Sequence, residues 1–177
     1  DGGGRRTWLG FDTPSVLGAA RNTTSLAFAD FNEDDVPDLL VGNRGQANQV
    51  FINHAFLDDT GVLVTDPNDD TVFLWQGFAP GVDVNGTSAT TAIAVGDLNR
   101  DGLLDVVVGN AGQTSKLHIN DGVRLTPEGA PILNARGQPD WLGFAAAQEL
   151  SADTGETTAV ALGDVDNDGD LDVVVAI

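Results

Sequence analysis

The chain has 177 residues and a formal net charge of -19, with 8 Lys and Arg against 27 Asp and Glu. This charge argues against nucleic acid and anionic membrane surfaces as partners, because both would repel the chain. The absence of Cys excludes disulfides, zinc–thiolate centres and thiol nucleophiles. No apolar run approaches the ~20 residues of a membrane helix, so we expect no membrane insertion.

The first patterned segment pairs a tryptophan with a phenylalanine three residues later, and it recurs twice. The three copies are Trp8-Leu-Gly-Phe11, Trp75-Gln-Gly-Phe78 and Trp141-Leu-Gly-Phe144. We interpret each copy as the mark of an outer strand in a repeated sheet unit. Exposed tryptophans can stack on sugars, but recurrence in register favours a packing role for these three.

A short apolar segment precedes each of three acidic loops. The segments are Leu26-Ala-Phe28-Ala29, Ile93-Ala-Val95-Gly96 and Val160-Ala-Leu162-Gly163. Large and small residues alternate with the period of a β-strand, and neither face is polar. Such a strand is buried on both faces, and its Ala and Gly side lets a neighbouring sheet approach closely.

The three acidic loops are the most informative feature of the sequence. They read Asp30-Phe-Asn32-Glu-Asp34-Asp35-Val36-Pro-Asp38, Asp97-Leu-Asn99-Arg-Asp101-Gly102-Leu103-Leu-Asp105 and Asp164-Val-Asp166-Asn-Asp168-Gly169-Asp170-Leu-Asp172. Their first aspartates are 67 residues apart in both intervals. Oxygen ligands at positions 1, 3, 5 and 9 of a tight loop suit a hard cation that takes six to eight oxygens, which indicates Ca²⁺.

We predict three calcium sites, in which positions 1, 3, 5 and 9 contribute side-chain oxygens and position 7 contributes its backbone carbonyl. The predicted ligands are Asp30, Asn32, Asp34, Val36 and Asp38 in the first loop; Asp97, Asn99, Asp101, Leu103 and Asp105 in the second; and Asp164, Asp166, Asp168, Asp170 and Asp172 in the third. The alternative is an acidic turn without metal, since Asp, Asn and Gly are common turn residues. Three copies at a fixed period disfavour that alternative, because so many like charges would repel one another.

Position 6 of each loop must allow the positive φ of a sharp turn. Gly102 and Gly169 provide it in the second and third loops, whereas the first loop has Asp35 there. We therefore expect the first site to be the weakest or the most distorted of the three.

Each acidic loop is followed by a strongly β-prone run, so that the loop joins the two strands of a hairpin. The runs are Leu39-Leu-Val41, Val106-Val-Val108 and Val173-Val-Val175. A third strand is predicted at 49–53 and at 116–120. The stretches 55–71 and 121–140 are rich in Asp, Gly and Pro, and we expect them to be surface loops.

The loops differ from EF-hands, because position 12 is Val in all three and strands flank them. The second loop and its surroundings read Gly96-Asp97-x-Asn99-x-Asp101-Gly102-x-x-Asp105-Val-Val-Val-Gly109-Asn110, then Leu117-x-Ile-Asn120-Asp-Gly. This sequence resembles the FG-GAP/VCBS repeat, a family that includes the calcium-bearing blades of integrin α-chain propellers and many bacterial surface proteins. The resemblance implies a four-stranded antiparallel blade, with Ca²⁺ in the hairpin between its first two strands.

The predicted fold is all-β, with antiparallel four-stranded blades of the β-propeller type. About 2.6 repeats of 67 residues would form an incomplete ring or an open stack. Residues 1–23 would supply the outer strand of a preceding blade, 24–90 the first blade, 91–156 the second, and 157–177 the first hairpin of a third.

The predicted last hairpin ends in Val-Val-Val-Ala-Ile177 and would expose a hydrophobic edge. Two explanations stay open. The chain is a fragment of a longer propeller, or the head of one copy covers the tail of another, which would give a filament.

Other candidate sites are few. Asn22 and Asn85 begin N-glycosylation sequons, and we place both just before a first strand. His118 aligns with Phe51 on a strand, and His54 occupies a different repeat position, so packing is favoured over catalysis. No Ser/His/Asp grouping or nucleophile elbow recurs, and repetition explains the paired carboxylates as metal ligands. We expect no enzymatic activity.

These observations favour an extracellular or cell-surface module that is stabilised by three Ca²⁺ ions. Low-affinity calcium modules have dissociation constants of about 10⁻⁴–10⁻³ M. They therefore bind Ca²⁺ where its concentration is high, as it is outside the cell. The predicted role is structural or adhesive, with a second copy of the chain as partner in a homo-oligomer or filament. The alternatives are a propeller fragment that recognises a protein or glycan ligand, and an accessory domain of a secreted hydrolase.

Overall fold

The computed structural model describes residues 17–58 and 61–177, which form ten strands and no helix. The strands are β1 Thr23–Ala29, β2 Asp38–Phe51, β3 Thr65–Asp66, β4 Asp69–Phe73, β5 Val82–Gly96, β6 Asp105–Asn110, β7 Lys116–His118, β8 Gln148–Glu149, β9 Ala159–Gly163 and β10 Asp172–Ala176. Every strand pair is antiparallel, which confirms the predicted all-β fold. Among the described residues no sheet closes into a ring, and none of their segments is a helix long and apolar enough to cross a membrane.

The first tryptophan motif, Trp8 to Phe11, lies outside the described residues. The same holds for most of the segment 1–23, which was predicted to supply an outer strand.

β2 contains two of the predicted strands, because its chain reverses direction near Gly45, where φ is +76°. A straight strand of 14 residues would separate its ends by about 45 Å. Instead, the Asp38 carboxylate at its start accepts a hydrogen bond of 2.8 Å from the Asn53 N–H just beyond its end. The first half of β2 pairs with β1 and the second half pairs with β5. The predicted third strand at 49–53 is this second half, and the one at 116–120 is β7.

β5 is shared by two sheet units. Residues 82–89 pair with β2, and residues 90–96 pair with β6. We therefore describe three repeats: the first contains β1, β2 and residues 82–89; the second contains residues 90–96, β6, β7 and β8; and the third contains β9 and β10. In the first two repeats four antiparallel strands follow one another, and the third repeat is a single hairpin.

The second and third tryptophan motifs lie just before the outer strands of the first and second repeats. Phe78 pairs with Asn53, and Phe144 pairs with Asn120, at the end of the third strand. The indole N–H groups of the second and third motifs donate to the side-chain oxygens of these two asparagines, at 2.8 Å in both repeats. The motif thus fastens the outer strand to the strand beside it.

The stretches 55–71 and 121–140 lie largely at the surface, as predicted, but they contain short β-pairings, so the prediction that they are plain loops is wrong. β3 and β4 form a hairpin in the first stretch. In the second, Leu125 pairs with Pro131 and Leu133 pairs with Pro139. We call these insertions the first meander (56–74) and the second meander (123–141). Their pairings cover one or two residues each and include proline, so no strand-like alternation is visible in the sequence. The meanders account for the long repeat period.

Successive repeats pack closely because glycine occupies equivalent positions in their second strands. A Cβ on Gly42 would lie 2.7 Å from Ile93 Cδ1, and a Cβ on Gly109 would lie 2.7 Å from Thr157 Cγ2 and 2.8 Å from Val160 Cγ2. All three distances are shorter than real Cβ contacts, so only glycine permits this approach.

The predicted close approach concerned the strand before each loop, and Gly96 on β5 confirms it, because a Cβ there would lie 2.8 Å from Leu171 Cδ1 and 2.9 Å from Leu162 Cδ1. The close approach at Gly42 and Gly109 was not predicted.

A polar contact between repeats also recurs with the same spacing. The Thr24 hydroxyl donates to the Thr90 carbonyl at 2.7 Å, and the Thr91 hydroxyl donates to the Thr157 carbonyl at 2.5 Å. The first strand of the first repeat is therefore tied to that of the second, and the first strand of the second repeat is tied to the segment just before β9.

The core lies between the first two repeats. Its buried members are Ala29, Phe31, Leu40, Val50, Val84, Val106 and Val108. Phe31 belongs to the first acidic loop, and its ring centroid lies 6.2 Å from that of Trp141 and 5.4 Å from that of Phe144. The second repeat thus covers the first acidic loop with aromatic side chains.

The last hairpin is exposed where its counterpart in the second repeat is buried. Val107 is 0% exposed, whereas the equivalent Val174 is 52% exposed and Ile177 is 68% exposed. The predicted exposed apolar edge is confirmed. At the other end of the described residues, Leu26 and Phe28 on β1 are also exposed.

The two sequons lie in different settings. Asn22 is exposed and directly precedes β1, as predicted. Asn85 lies inside β5, so its predicted position before a first strand is wrong. The reason is that the outer strand of the first repeat continues without a break into the first strand of the second.

We expect Gly109→Ala to lower the free energy of unfolding by about 1–3 kcal/mol, because the added methyl group meets Thr157 and Val160. Gly86→Ala is the matched control, since a Cβ on this β5 glycine meets no atom within 4 Å; its effect should stay within about 1 kcal/mol. Urea unfolding followed by tryptophan fluorescence measures both. Equal stability of the two variants would contradict the close contact between repeats.

Candidate metal sites

Each acidic loop is wound around the aspartate at its position 1. The backbone N–H groups of positions 5 and 6 donate to the two oxygens of this carboxylate. The distances are 3.1 and 2.8 Å at Asp30, 3.2 and 3.0 Å at Asp97, and 3.1 and 2.9 Å at Asp164. Hydrogen bonds to an ionised acceptor are stronger than neutral ones, so the charged carboxylate shapes the loop.

The aspartate at position 5 is bound in the same way in all three loops. It accepts the N–H of position 7 at 3.0 Å in Asp34, 2.8 Å in Asp101 and 2.8 Å in Asp168. In the first two loops the position-3 amide also donates to this carboxylate, from Asn32 at 3.0 Å and from Asn99 at 2.8 Å. The side chains of positions 3 and 5 are therefore in contact.

The aspartate at position 9 joins the loop to the third strand. Asp38 accepts the N–H of Phe31 at 3.0 Å and that of Asn53 at 2.8 Å. Its counterpart Asp105 accepts the N–H of Leu98 and that of Asn120, both at 2.9 Å. Both carboxylates are 0% exposed. In the third loop the equivalent bond runs from Val165 to Asp172 at 2.8 Å.

The third loop shows how closely the carboxylates approach. Oxygens of Asp164, Asp166 and Asp172 lie within 4.8 Å of one another. These residues occupy positions 1, 3 and 9, so the structure brings together three of the predicted side-chain ligands. The backbone carbonyls of Val36, Leu103 and Asp170 as ligands remain a prediction.

Two positions in each loop have positive φ, and the sequence predicted only one of them. At position 6, φ is 64° in Asp35, 91° in Gly102 and 90° in Gly169. At position 4, φ is 57° in Glu33, 61° in Arg100 and 63° in Asn167. The position-4 residues share no chemistry that would have revealed this. The backbone of the first loop follows that of the other two loops although position 6 is Asp35. The lower calcium affinity expected for the first site remains a prediction.

Burial sets the electrostatics of the first loop. It raises the pKa of Asp38 to about 7, against the effect of the N–H groups of Asn53 and Phe31. Burial also raises the pKa of Asp34, and the nearby Asp30 charge acts in the same direction. The two N–H groups at Asp38 favour the ionised form, so a bound cation would remove the conflict between these bonds and desolvation.

The donor set of the loops fits Ca²⁺. It consists of carboxylate and amide oxygens with no sulfur or imidazole, as a hard cation prefers. Within the described residues, the buried Asn32 Oδ1 accepts no hydrogen bond. A buried acceptor without a donor indicates a missing partner, and this one stands at a predicted ligand position.

Two side chains cross between repeats at these loops, and the sequence analysis missed both. Arg100 of the second loop forms an ion pair with Asp170 of the third loop. Gln138 of the second meander donates its Nε2 to Asp34 Oδ2 of the first loop at 2.7 Å. Gln138 lies 104 residues after its partner and has Val72 as its repeat equivalent, so the sequence offered no signal for this contact.

The two histidines are buried, His54 at 6% exposed and His118 at 2% exposed. Burial lowers the pKa of His118 to about 4, and the charge of Lys116 acts in the same direction. The His118 ring packs against Phe144 with a centroid distance of 6.2 Å. A neutral ring in this position agrees with the packing role expected for it.

The fold and these loops define a β-repeat module with oxygen-lined hairpins, and comparison with known families gives the class a name. The FG-GAP repeat model matches residues 22–52 and 89–122, which contain the first and the second acidic loop. These two segments match the FG-GAP repeat, and this match confirms the resemblance found in the sequence. Such repeats are often calcium-binding and occur in extracellular or cell-surface proteins. Among curated proteins, none matches the chain.

Asp105→Asn tests the anchoring role of position 9. An amide has one acceptor oxygen, so its NH₂ group would face one of the two backbone N–H donors. We expect the free energy of unfolding to fall by about 1–3 kcal/mol, with a calcium chelator as well as with calcium. The exposed Asp121 supplies the control, because Asp121→Asn should change stability by less than about 0.5 kcal/mol. Wild-type stability of Asp105→Asn in chelator would show that these bonds are unimportant.

Proposed function

We propose that the chain is a non-enzymatic, calcium-stabilised repeat module of the β-propeller type that works outside the cell in a structural or adhesive role. The observation that supports it is one oxygen-rich hairpin, with the same internal hydrogen bonds, in three successive repeats. Repetition of one arrangement favours a structural use. A catalytic acid–base pair would be needed once, in one cleft.

Calcium would act on folding through the hairpins. In the absence of a cation, each loop holds several carboxylates close together, and in the first loop burial also disfavours their charge. Three Ca²⁺ ions would change the formal net charge from -19 to -13. An ion that binds the folded loop and not the unfolded chain adds its binding free energy to the stability of the fold.

An extracellular setting follows from the same argument. Extracellular calcium modules have dissociation constants of about 10⁻⁴–10⁻³ M, so they are filled where Ca²⁺ is abundant. The occurrence of FG-GAP repeats in surface proteins supports this location.

Calcium removal tests the proposed function. At a concentration of 100 times the dissociation constant, each filled site adds about 2.7 kcal/mol to the free energy of unfolding. For a chain of this size, 1 kcal/mol shifts Tm by about 2–4 °C. We therefore expect 10 mM Ca²⁺ to raise Tm by at least several degrees relative to excess chelator, measured by circular dichroism. Mg²⁺ at the same concentration serves as the control and should have a smaller effect, because it gives up its water ligands reluctantly. An unchanged Tm would refute the stabilising role.

A second candidate function is head-to-tail self-association, and the two outward faces of the described repeats favour it. The face of β1 exposes the large side chains of Leu26 and Phe28, at 60% and 66%. The outward face of the last hairpin carries the small residues Ala161 and Gly163 beside Val174. Between the first two repeats, large residues pack against small ones in the same way, as Ile93 does against Gly42. A second copy of the chain would continue this packing.

Phe28→Asp tests self-association, because a charge on the exposed face of β1 would oppose burial against a second copy. We expect the wild-type chain to sediment as large species in calcium and the variant to sediment as smaller ones. Val62→Asp is the control, since Val62 is 58% exposed but lies in the first meander. A wild-type chain that stays monomeric at all concentrations would exclude this function.

A further inference from the structure

Two buried side-chain oxygens lack a hydrogen-bond donor within the described residues, and both belong to amides at the first acidic loop. They are Asn32 Oδ1 and Gln138 Oε1. The two residues are 1% and 3% exposed. A buried polar atom without a partner costs about 1–3 kcal/mol, so each of these two amides would be stabilised by a partner for its oxygen.

Both amides donate to the same carboxylate oxygen. Asn32 Nδ2 lies 3.0 Å from Asp34 Oδ2, and Gln138 Nε2 lies 2.7 Å from it. Gln138 Nε2 also donates to the Asn53 carbonyl at 2.9 Å. Because Asp34 Oδ2 and the Asn53 carbonyl are both in reach, the Gln138 amide points its NH₂ group at them when no cation is bound.

A half-turn of the Gln138 amide would point its oxygen, instead of its NH₂ group, at the first acidic loop. The oxygen and nitrogen of a Gln side chain are nearly equal in size, so a rotation about the last bond exchanges them in place. Such a rotation would put the Gln138 oxygen beside Asp34 Oδ2 and the Asn53 carbonyl. A divalent cation favours this orientation, because it attracts carbonyl oxygens and repels N–H groups.

The other two loops differ at the corresponding atoms. In the second loop, Asn99 Oδ1 accepts the Asp101 N–H at 3.1 Å. In the third, Asp166 Oδ1 accepts the Asp168 N–H at 3.2 Å. The side-chain oxygen at position 3 thus accepts a hydrogen bond in the second and third loops, whereas in the first loop it accepts none from the described residues. The first loop is also the one covered by the second meander, from which Gln138 projects.

We propose that Gln138 is an additional ligand of the cation in the first loop, with its amide oxygen beside Asn32 and Asp34. The proposal rests on the proposed calcium function and deepens it. The other predicted ligands of this site belong to the first repeat, whereas Gln138 belongs to the second. The cation would therefore join two repeats and act as a clamp between them. It would also strengthen the loop that lacks glycine at position 6.

Variants at position 138 test the clamp in the full chain. Gln138→Met removes the oxygen at similar volume, and Gln138→Glu replaces it with a carboxylate. Gln76→Met is the matched control, because Gln76 is exposed and donates to the Leu74 carbonyl. Calcium binding is measured by isothermal titration. We expect Gln138→Met to weaken one site by about tenfold or more, Gln138→Glu to bind as tightly as wild type or more tightly, and Gln76→Met to bind as wild type.

A stability measurement separates a ligand from a residue that only packs. If Gln138 is a ligand, Gln138→Met reduces the increase in Tm that calcium produces. A packing residue would lower Tm equally with calcium and with chelator. In an Asp34→Asn background, Gln138→Met should cause little further loss of affinity, because both changes act on one site.

These measurements distinguish failure of the Gln138 clamp from failure of the proposed calcium function. If wild type binds calcium and Gln138→Met binds it equally well, the clamp is wrong and the calcium function stands. If Gln138→Met does not fold, reduced calcium affinity in Gln138→Glu would overturn the clamp. If wild type binds no calcium, the proposed function fails and the clamp fails with it.

Discussion

Carboxylates confined in a tight hairpin are the constraint on which the rest of the structure depends. The backbone of each loop donates its N–H groups to aspartates at positions 1, 5 and 9. These bonds favour the ionised carboxylate, whereas repulsion between the carboxylates, and in the first loop burial, disfavours it. The conflict is strongest in the first loop, where burial raises the pKa of Asp38 to about 7. A divalent cation would relieve the conflict and leave the backbone N–H bonds to these carboxylates in place.

The loops also control how repeats fit together. Asp105 of the second loop holds the N–H of Asn120, and the side chain of Asn120 accepts the Trp141 indole N–H at 2.8 Å. The same side chain donates to the Phe31 carbonyl in the first loop at 3.0 Å. One asparagine therefore links the loop of its own repeat to that of the repeat before it. These hydrogen bonds connect one hairpin to its neighbour. They can form because glycine at the interface between repeats lets the sheets approach closely.

Much of the fold was predictable because the repeat makes each element visible several times. The strands on both sides of the acidic loops, the third strand at 116–120 and the close approach at Gly96 follow from period-two alternation and small residues. The meanders were not predictable, because their pairings are too short to produce a pattern. The position of Asn85 inside β5 was missed because the dipeptide Asn85-Gly86 is typical of turns, whereas here the strand continues through it.

For the candidate sites, contacts within a loop were predictable from the sequence, and contacts between repeats were not. The spacing of aspartates identified the side chains that meet within each loop, since these lie within nine residues of one another. Contacts between repeats depend on the packing of distant segments, and Gln138 reaches Asp34 across 104 residues. A residue that occurs in one repeat and not in the others leaves no periodic signal, so only the structure reveals it.

Native mass spectrometry in millimolar calcium tests the central claim most directly, because it counts the ions held by each chain. We expect a predominant species that carries three Ca²⁺ ions and loses them when a chelator is added. A folded chain that retains no calcium under these conditions would contradict the claim that cations hold the acidic hairpins together.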